Sequence, residues 1–591
     1  MTTANVPQPT PAAATSAAPA QQPRDAQPHR APLTLKAAFF ILLALNLARL
    51  AFGLCFDLAP QEAYYFLYAQ HPALSYFDHP PLMAWSLWLF TSIFGAHPFV
   101  LRLTAFTLTL LTQFGFFLLA RRFLPTSRQA HALLLFATTA MISVVSLISL
   151  PDVPLLLFWT LSLLCLERAI FGGRRAFWIL AGLCMGLCFD GKYTGVFLQI
   201  GLALFLVLSR PHRRWLKTPW PYLSILLAHV AMLPVYVWNA QNGFASFLFQ
   251  SADRASTWGG LHPINFLKLL GSQTALLLPP LLIGVVMVFF RSLKRLIATR
   301  AQKPCQQKPL FLLCFFAPLF LGFTALSFVT LVKPNWLMPA WITGILFAAL
   351  LLPRRLTAWN LALALVLHIA IAVEVALYPV PLKTDDTWFG WRSLAQKVRP
   401  LSESHPDHFL FADDGYKTSA ELSFYLGTKT YSGNILGKRG LQFDYLGDDL
   451  SALRGRDALF FDSKPSDFSP GKAKGAPPRK LVRHFERVEQ LDPILIENRG
   501  RIARKFLVYR CQGYRGPQPI EPPRAHEPKK TADGAQSERE EMIVLPDGRS
   551  VSVIIPQAVN DATAPATPAP QVDAPSQTAP AANTPAPSTA P

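Results

Sequence analysis

Two short runs hold the residue types best suited to chemistry. Gln61-Glu62-Ala63-Tyr64-Tyr65 and Tyr76-Phe77-Asp78-His79-Pro80-Pro81-Leu82 set two acids and a histidine beside a Pro-Pro turn. Such a group suits a general base that takes a hydroxyl proton, or a divalent-cation site. A plainer use exists for each acid. Asp78 could cap a helix that starts at the prolines, and Glu62 could be solvated at an aromatic interface.

Four further segments add charge and hydrogen-bonding capacity. Asp152, in Ser149-Leu150-Pro151-Asp152, could orient a hydroxyl or cap a helix. Lys192, in Asp190-Gly191-Lys192-Tyr193, could meet an anion or snorkel to an interface. Trp238 and Asn239, followed by Asp253 and Arg254, mix rings and amides that hold sugars, although membrane-interface belts look alike. In Lys333-Pro334-Asn335-Trp336 a cation could face a phosphate or anchor a span.

The elements that must position these residues are membrane helices. The chain has 591 residues, of which 51% are hydrophobic and only 15% charged, against about 25% charged in soluble proteins. Apolar runs approach the roughly 20 residues a bilayer-crossing helix needs. The first covers residues 35 to 56. The others cover residues 98 to 120, 129 to 149, 153 to 170, 176 to 189, 193 to 209, 218 to 238, 265 to 290, 309 to 331, 336 to 353 and 357 to 378, about eleven spans in all. The run from 82 to 94 is too short and reads as an interfacial or re-entrant helix.

With the N-terminus inside, the basic clusters at Arg121 and Arg122, Arg174 and Arg175, 210 to 217, 291 to 308, and Arg354 and Arg355 all fall in cytoplasmic loops. Every segment named above then lies on the opposite, outer face. The net charge of +20 is therefore a topology signal, and nucleic acid is not expected as a partner. The seven cysteines form no CxxC pair, though a Cys55 to Cys511 bridge is conceivable if both face an oxidising compartment.

Residues 1 to 33 read as a disordered cytoplasmic leader and 34 to 380 as the multi-span domain. Residues 381 to 515 read as a small extracytoplasmic α/β domain, with strands near 408 to 412, 458 to 461 and 506 to 509 and a helix over 419 to 426. Residues 516 to 591 form a Pro- and Ala-rich tail with one hairpin-like patch around Asp547-Gly548.

The tracts Gln61 to Tyr65, Tyr76 to Leu82, Pro151-Asp152, Gly191-Lys192-Tyr193, Trp238-Asn239 and Lys333 to Trp336 together resemble the polytopic glycosyltransferases that include the protein O-mannosyltransferases and the bacterial lipid A aminoarabinose and galacturonic acid transferases. The resemblance covers residues 35 to 400, and more loosely Ser419 to Tyr425 and Gln442 to Tyr445.

The resemblance implies a helical membrane enzyme of the GT-C type in the inner membrane of the cell envelope. Its donor would be a sugar on a polyprenyl phosphate, and its acceptor a glycolipid such as lipopolysaccharide, a polysaccharide or a protein. On that reading Asp78 or Glu62 is the base, with His79 beside it, and Asp152 orients the acceptor. Lys192, Lys333 and Arg254 contact phosphate, and Tyr64, Tyr65, Tyr193, Trp238 and Asn239 line the sugar pocket. A divalent cation is compatible with the clustered acids, but no ligand set fixes one. Where the family often has Asp-Glu, this chain has Gln61-Glu62, so the base role passes to Glu62, Asp78 or Asp57.

The chief rival is a secondary transporter or lipid flippase, which would place ionisable groups near the bilayer midplane and show internal repeats. The polar groups here gather at one face, and the two halves show no repeat.

Overall fold

The computed structural model describes residues 34–255, 258, 260–298, 306–473, 476–517, 538–544 and 550–556. The expected leader lies outside the described residues, as does the expected tail except for its first two residues and the two strands given below.

Among the described residues eighteen α-helices run from Leu35 to Leu377: α1 (Leu35–Phe52), α2 (Pro60–Gln70), α3 (Leu82–Phe94), α4 (Pro98–Phe123), α5 (Thr126–Ala137), α6 (Ala140–Leu147), α7 (Asp152–Ile170), α8 (Ala176–Gly191), α9 (Phe197–Leu208), α10 (Trp220–Ala231), α11 (Leu233–Gln241), α12 (Ala245–Gln250), α13 (Ala252–Ala255), α14 (Pro263–Leu277), α15 (Pro279–Ala298), α16 (Gln307–Leu326), α17 (Met338–Leu351) and α18 (Arg354–Leu377). Among the described residues five helices are long and apolar enough to cross a membrane, or up to nine if each bent pair counts as one span. Two runs read as spans, over 176 to 189 and 336 to 353, form shorter apolar helices.

Three expected spans are bent: residues 129 to 149 by 57° between α5 and α6, residues 218 to 238 by 46° between α10 and α11, and residues 265 to 290 most sharply. Residues 265 to 290 do not form a straight crossing, because α14 and α15 meet at 111°. Leu278 there has φ 70° and precedes Pro279 and Pro280. A residue before proline is disfavoured in helical geometry, and the two successive prolines cannot donate the hydrogen bonds that would carry α14 onward.

Two short helices shape the site. Pro60 starts α2, and Glu62 in its first turn accepts from the Ala59 amide at 3.0 Å, satisfying one of the free N–H groups at the helix start. Nearly all of α2 is buried. The linker from α1 to α2 is stapled by Arg102 of α4, whose guanidinium donates to the Phe56 carbonyl at 2.9 Å, to that of Asp57 at 2.6 Å, and to that of Gly53. Helix α3 occupies the bounds expected for the interfacial helix.

Beyond α18 the chain forms α19 (Trp391–Glu403), β1 (Phe409–Ala412), α20 (Lys417–Leu426), β2 (Thr430–Tyr431), β3 (Ala458–Ser463), α21 (Arg479–His484), β4 (Phe485–Gln490), β5 (Ile494–Asn498) and β6 (Arg501–Tyr514). The sheet order is β2-β1-β3-β6-β4, with β5 also on β6. Strands β1, β2 and β3 run parallel, and β6 is antiparallel to β3, β4 and β5. The period-2 alternation of side chains separates two cores: Phe409, Phe411 and Phe460 face one side, while Leu410, Leu459 and Phe461 pack against Trp391 and Leu394 of α19 on the other.

Residues 521 to 591 are a separate unit, in which β7 (Glu538–Val544) pairs antiparallel with β8 (Ser550–Pro556). The hairpin expected there is present, and its Asp547-Gly548 turn lies outside the described residues. Every described cysteine is free, Cys55 exposed and Cys511 buried in the sheet, so the conceivable bridge between them is not formed.

Candidate functional site

Helix ends and linkers converge on one cavity of about 800 Å³. Its wall includes Asp78 and His79 from the α2–α3 linker, Asp152 at the start of α7, and Lys192 and Tyr193 after α8. Arg254 of α13 and Lys333 after α16 complete the charged lining, and Tyr65 of α2 adds a ring. Segments distant in sequence but assigned to one face thus meet at one place.

Asp78 does not cap α3. That helix starts after Pro81 with no side-chain cap, and the Asp78 carboxylate instead accepts from the Tyr64 hydroxyl at 3.3 Å and from the Tyr68 hydroxyl. Its main-chain carbonyl accepts from Gln250 Nε2 at 2.7 Å. Burial pushes the Asp78 carboxyl up to about 7, against the opposing pull of its hydrogen bonds and of the Lys333 and Arg254 charges. A carboxylate poised near neutrality suits proton abstraction. His79 stacks edge-on to Tyr65 at 5.6 Å. Burial, reinforced by Lys192, Arg254 and Lys333, holds its imidazole well below the usual histidine range, so it is neutral at pH 7.

Asp152 is buried and likewise is not a cap. It accepts from Lys192 Nζ at 2.8 Å and from Asn335 Nδ2 at 2.8 Å. Lys192 therefore points into the protein instead of snorkelling. Lys333 has no carboxylate within ion-pair distance among the described residues. Burial and the Arg254 and Lys192 charges draw its ammonium below the ordinary value, with Asp386 and Asp78 opposing. Arg254 packs over the Trp336 ring at 5.1 Å and the Phe249 ring at 5.5 Å. Three cations in one concave site form an electropositive focus for an anion.

Not every expected residue reaches the cavity wall. Glu62 is fully buried behind it, 3.5 Å from the Arg102 guanidinium. Tyr64 stands one layer back, bonded to Asp78 and stacked on Tyr416 at 4.1 Å. Trp238 packs on Tyr445. Asn239 is spent on structure: its Oδ1 accepts from the Phe247 amide at 3.1 Å and its Nδ2 donates to the Val235 carbonyl at 2.9 Å. Neither Trp238 nor Asn239 lines the cavity.

Sequence reasoning missed several wall residues. Tyr416 and Leu441 come from the terminal domain and Trp258 from beyond α13, while Phe249 and Gln250 lay between Asn239 and Asp253, in a tract read for its rings and amides, without being chosen. Asn335 sat inside a tract already singled out, and its amide next to Lys333 was the available signal. Gln61, standing where the family often has Asp, lines the cavity and donates to Asp386 at 3.0 Å.

The donor set does not fit a divalent cation. No three His, Cys, Asp or Glu side chains among the described residues are placed to hold one. The carboxylates of Asp78 and Asp152 are already held by phenols, an ammonium and an amide.

Residues 78–238 match the family described as dolichyl-phosphate-mannose-protein mannosyltransferase. The lipid A galacturonosyltransferase RgtD of Rhizobium johnstonii is 24% identical over 303 residues, 50% of this chain. The match spans 61% of that relative's length. Among solved structures, ArnT from Cupriavidus metallidurans in the apo state superposes with a TM-score of 0.55 at 14% identity, covering 80% of this chain and 98% of that one. The same protein bound to undecaprenyl phosphate gives 0.54 at 14% identity, covering 81% and 98%. The resemblance read from the motifs is thus matched by the architecture, and the chain has the polytopic GT-C fold of the membrane glycosyltransferases, with a small terminal α/β sheet domain.

Proposed function

We propose that the chain is an integral membrane glycosyltransferase that moves a sugar from a polyprenyl-phosphate donor to an acceptor hydroxyl at the outer face of the cytoplasmic membrane. One observation carries the reading: Lys192, Arg254 and Lys333 line the same cavity as Asp78, a carboxylate poised near neutrality. Sugar transfer from a lipid phosphate needs this pair of features, a base for the attacking hydroxyl and cations for the departing phosphate.

In this mechanism Asp78 takes the acceptor proton, and Tyr64 and Tyr68 hold its carboxylate toward the cavity. Asp152 aims Lys192, and Asn335 fixes Asp152. Lys333, without an ion-pair partner among the described residues, meets the phosphate directly. Neutral His79 and the Tyr65 and Tyr193 rings border the sugar. The apolar wall of Phe197, Phe323, Leu326 and Leu331 suits the lipid chain of the donor. Undecaprenyl phosphate binds ArnT of the same fold, and RgtD modifies lipid A, which together favour a lipid-linked donor and a glycolipid acceptor in the envelope.

Mass spectrometry of envelope glycolipids and glycoproteins tests this in cells carrying the wild-type chain, no chain, or Asp78→Asn at matched membrane abundance. A glycan increment confined to wild type is expected. No difference among the three would refute the reading and favour a transporter.

A further inference from the structure

A segment of the terminal domain reaches across to the carboxylate at the centre of the cavity. Residues 439 to 445 form a turn and a short 3-10 helix (Leu441–Tyr445) that lies against the α2–α3 linker. Gln442 is 3% exposed. Its side-chain Oε1 accepts from the Phe77 main-chain amide at 2.8 Å, and its main-chain N–H donates to the Tyr64 hydroxyl oxygen at 3.0 Å. Tyr64 in turn donates to Asp78. One residue, more than 360 positions away in sequence, thus holds the peptide before Asp78 and the phenol that hydrogen-bonds its carboxylate.

The backbone around Gln442 is arranged for this contact. Leu441, which lines the cavity, has φ 55°, a left-handed conformation that a leucine keeps only where its surroundings enforce it. The Gly440 amide donates to Asp444 at 2.7 Å, and a Cβ on Gly440 would meet that carboxylate at 2.7 Å. Tyr445 stacks on Phe77 at 5.1 Å, and Phe443 is buried in the helical core. Arg439 pairs with Asp253 at 2.6 Å, fastening the segment to the element that carries Arg254. Gln250 grips the Asp78 carbonyl from the other side.

We propose that Gln442 is a positioning residue for Asp78, so that the terminal domain completes the transfer site instead of only covering it. The inference rests on the reading of Asp78 as the base. Without the Gln442 acceptor, the Phe77 amide is left unpaired inside the protein, and the linker relaxes away from Tyr64 and Tyr68. Small displacements of a reacting group are costly in rate.

Full-length protein in lipid nanodiscs and in cells tests this with two variants. Gln442→Leu keeps the volume and removes the acceptor, whereas Gln442→Glu keeps an oxygen for the Phe77 amide. Transfer should fall at least about tenfold in Gln442→Leu and stay within about threefold of wild type in Gln442→Glu. Hydrogen exchange over residues 75 to 79 should quicken in the first variant and stay protected in the second. Unchanged transfer in Gln442→Leu, or equal loss in both variants, would overturn the proposal. Should wild type show no transfer at all, the functional reading fails first. The exchange arm then decides alone: lost protection in Gln442→Leu that returns in Gln442→Glu supports positioning, and unchanged protection overturns it.

Discussion

Glu62 and Asp78 belong to one segment between α1 and α3, read alike in the sequence, and have opposite fates. Glu62 is fully buried, caps α2 through the Ala59 amide, and faces the Arg102 guanidinium. Asp78 is held by two phenols and faces a cavity with three cations. Burial pushes both carboxyls up, and Arg102 opposes it most for Glu62. On the proposed mechanism, an acidic side chain in this segment is not by itself enough to make a base. What matters is whether the neighbours leave a side of the carboxylate open to a substrate.

The strongest way to break this comparison is to neutralise each acid in turn. Asp78→Asn should lower transfer by about 10²–10⁴-fold with thermal unfolding little changed. Glu62→Gln should do the reverse. It leaves a buried guanidinium facing a neutral amide, a loss of about 1–3 kcal/mol visible in thermal unfolding, while transfer per folded molecule is kept. Equal losses of activity in the two variants would erase the distinction.

A second effect sharpens the phosphate half of the site. Lys333→Ala should raise the donor KM by about tenfold or more, measured by steady-state transfer with a purified lipid-linked donor. Next comes pH. Because Asp78 must be ionised to accept a proton and its carboxyl is pushed up to about 7, transfer should fall as pH drops through about 7 and level off above it. A profile flat from pH 5 to 8 would contradict this. The smallest effect concerns Gln61. Gln61→Asp loses the amide donor to Asp386 and sets two carboxylates together, a cost of about 1 kcal/mol in thermal unfolding with no gain in transfer.

Much of this site was legible because membrane depth makes ionisable residues expensive, so Asp78, Asp152, Lys192 and Lys333 stood out at span ends. Charge in the loops placed them on one face. Orientation was not legible. Nothing in the order of residues 233 to 250 says that Trp238 and Asn239 turn toward Tyr445 and Phe247, since the helix carrying them is apolar on several sides. Tyr416 escaped notice, and Gln442 was read only as the start of a loose likeness over 442 to 445, for a different reason: their partners in α2 and its following linker are hundreds of residues away, and only tertiary packing joins them. The sharp bend at Leu278 was available in the Pro279-Pro280 pair, but the apolar run from Ala275 to Phe290 on both sides of it concealed it.

The most direct test of the account separates binding from chemistry at Asp78. Purified full-length wild type and Asp78→Asn, in nanodiscs, would be compared for undecaprenyl phosphate affinity and for transfer of label from the lipid-linked donor. The account predicts that Asp78→Asn binds undecaprenyl phosphate within about threefold of wild type and transfers almost nothing. Retained transfer would contradict it, because the carboxylate facing the three cations would then not be the base.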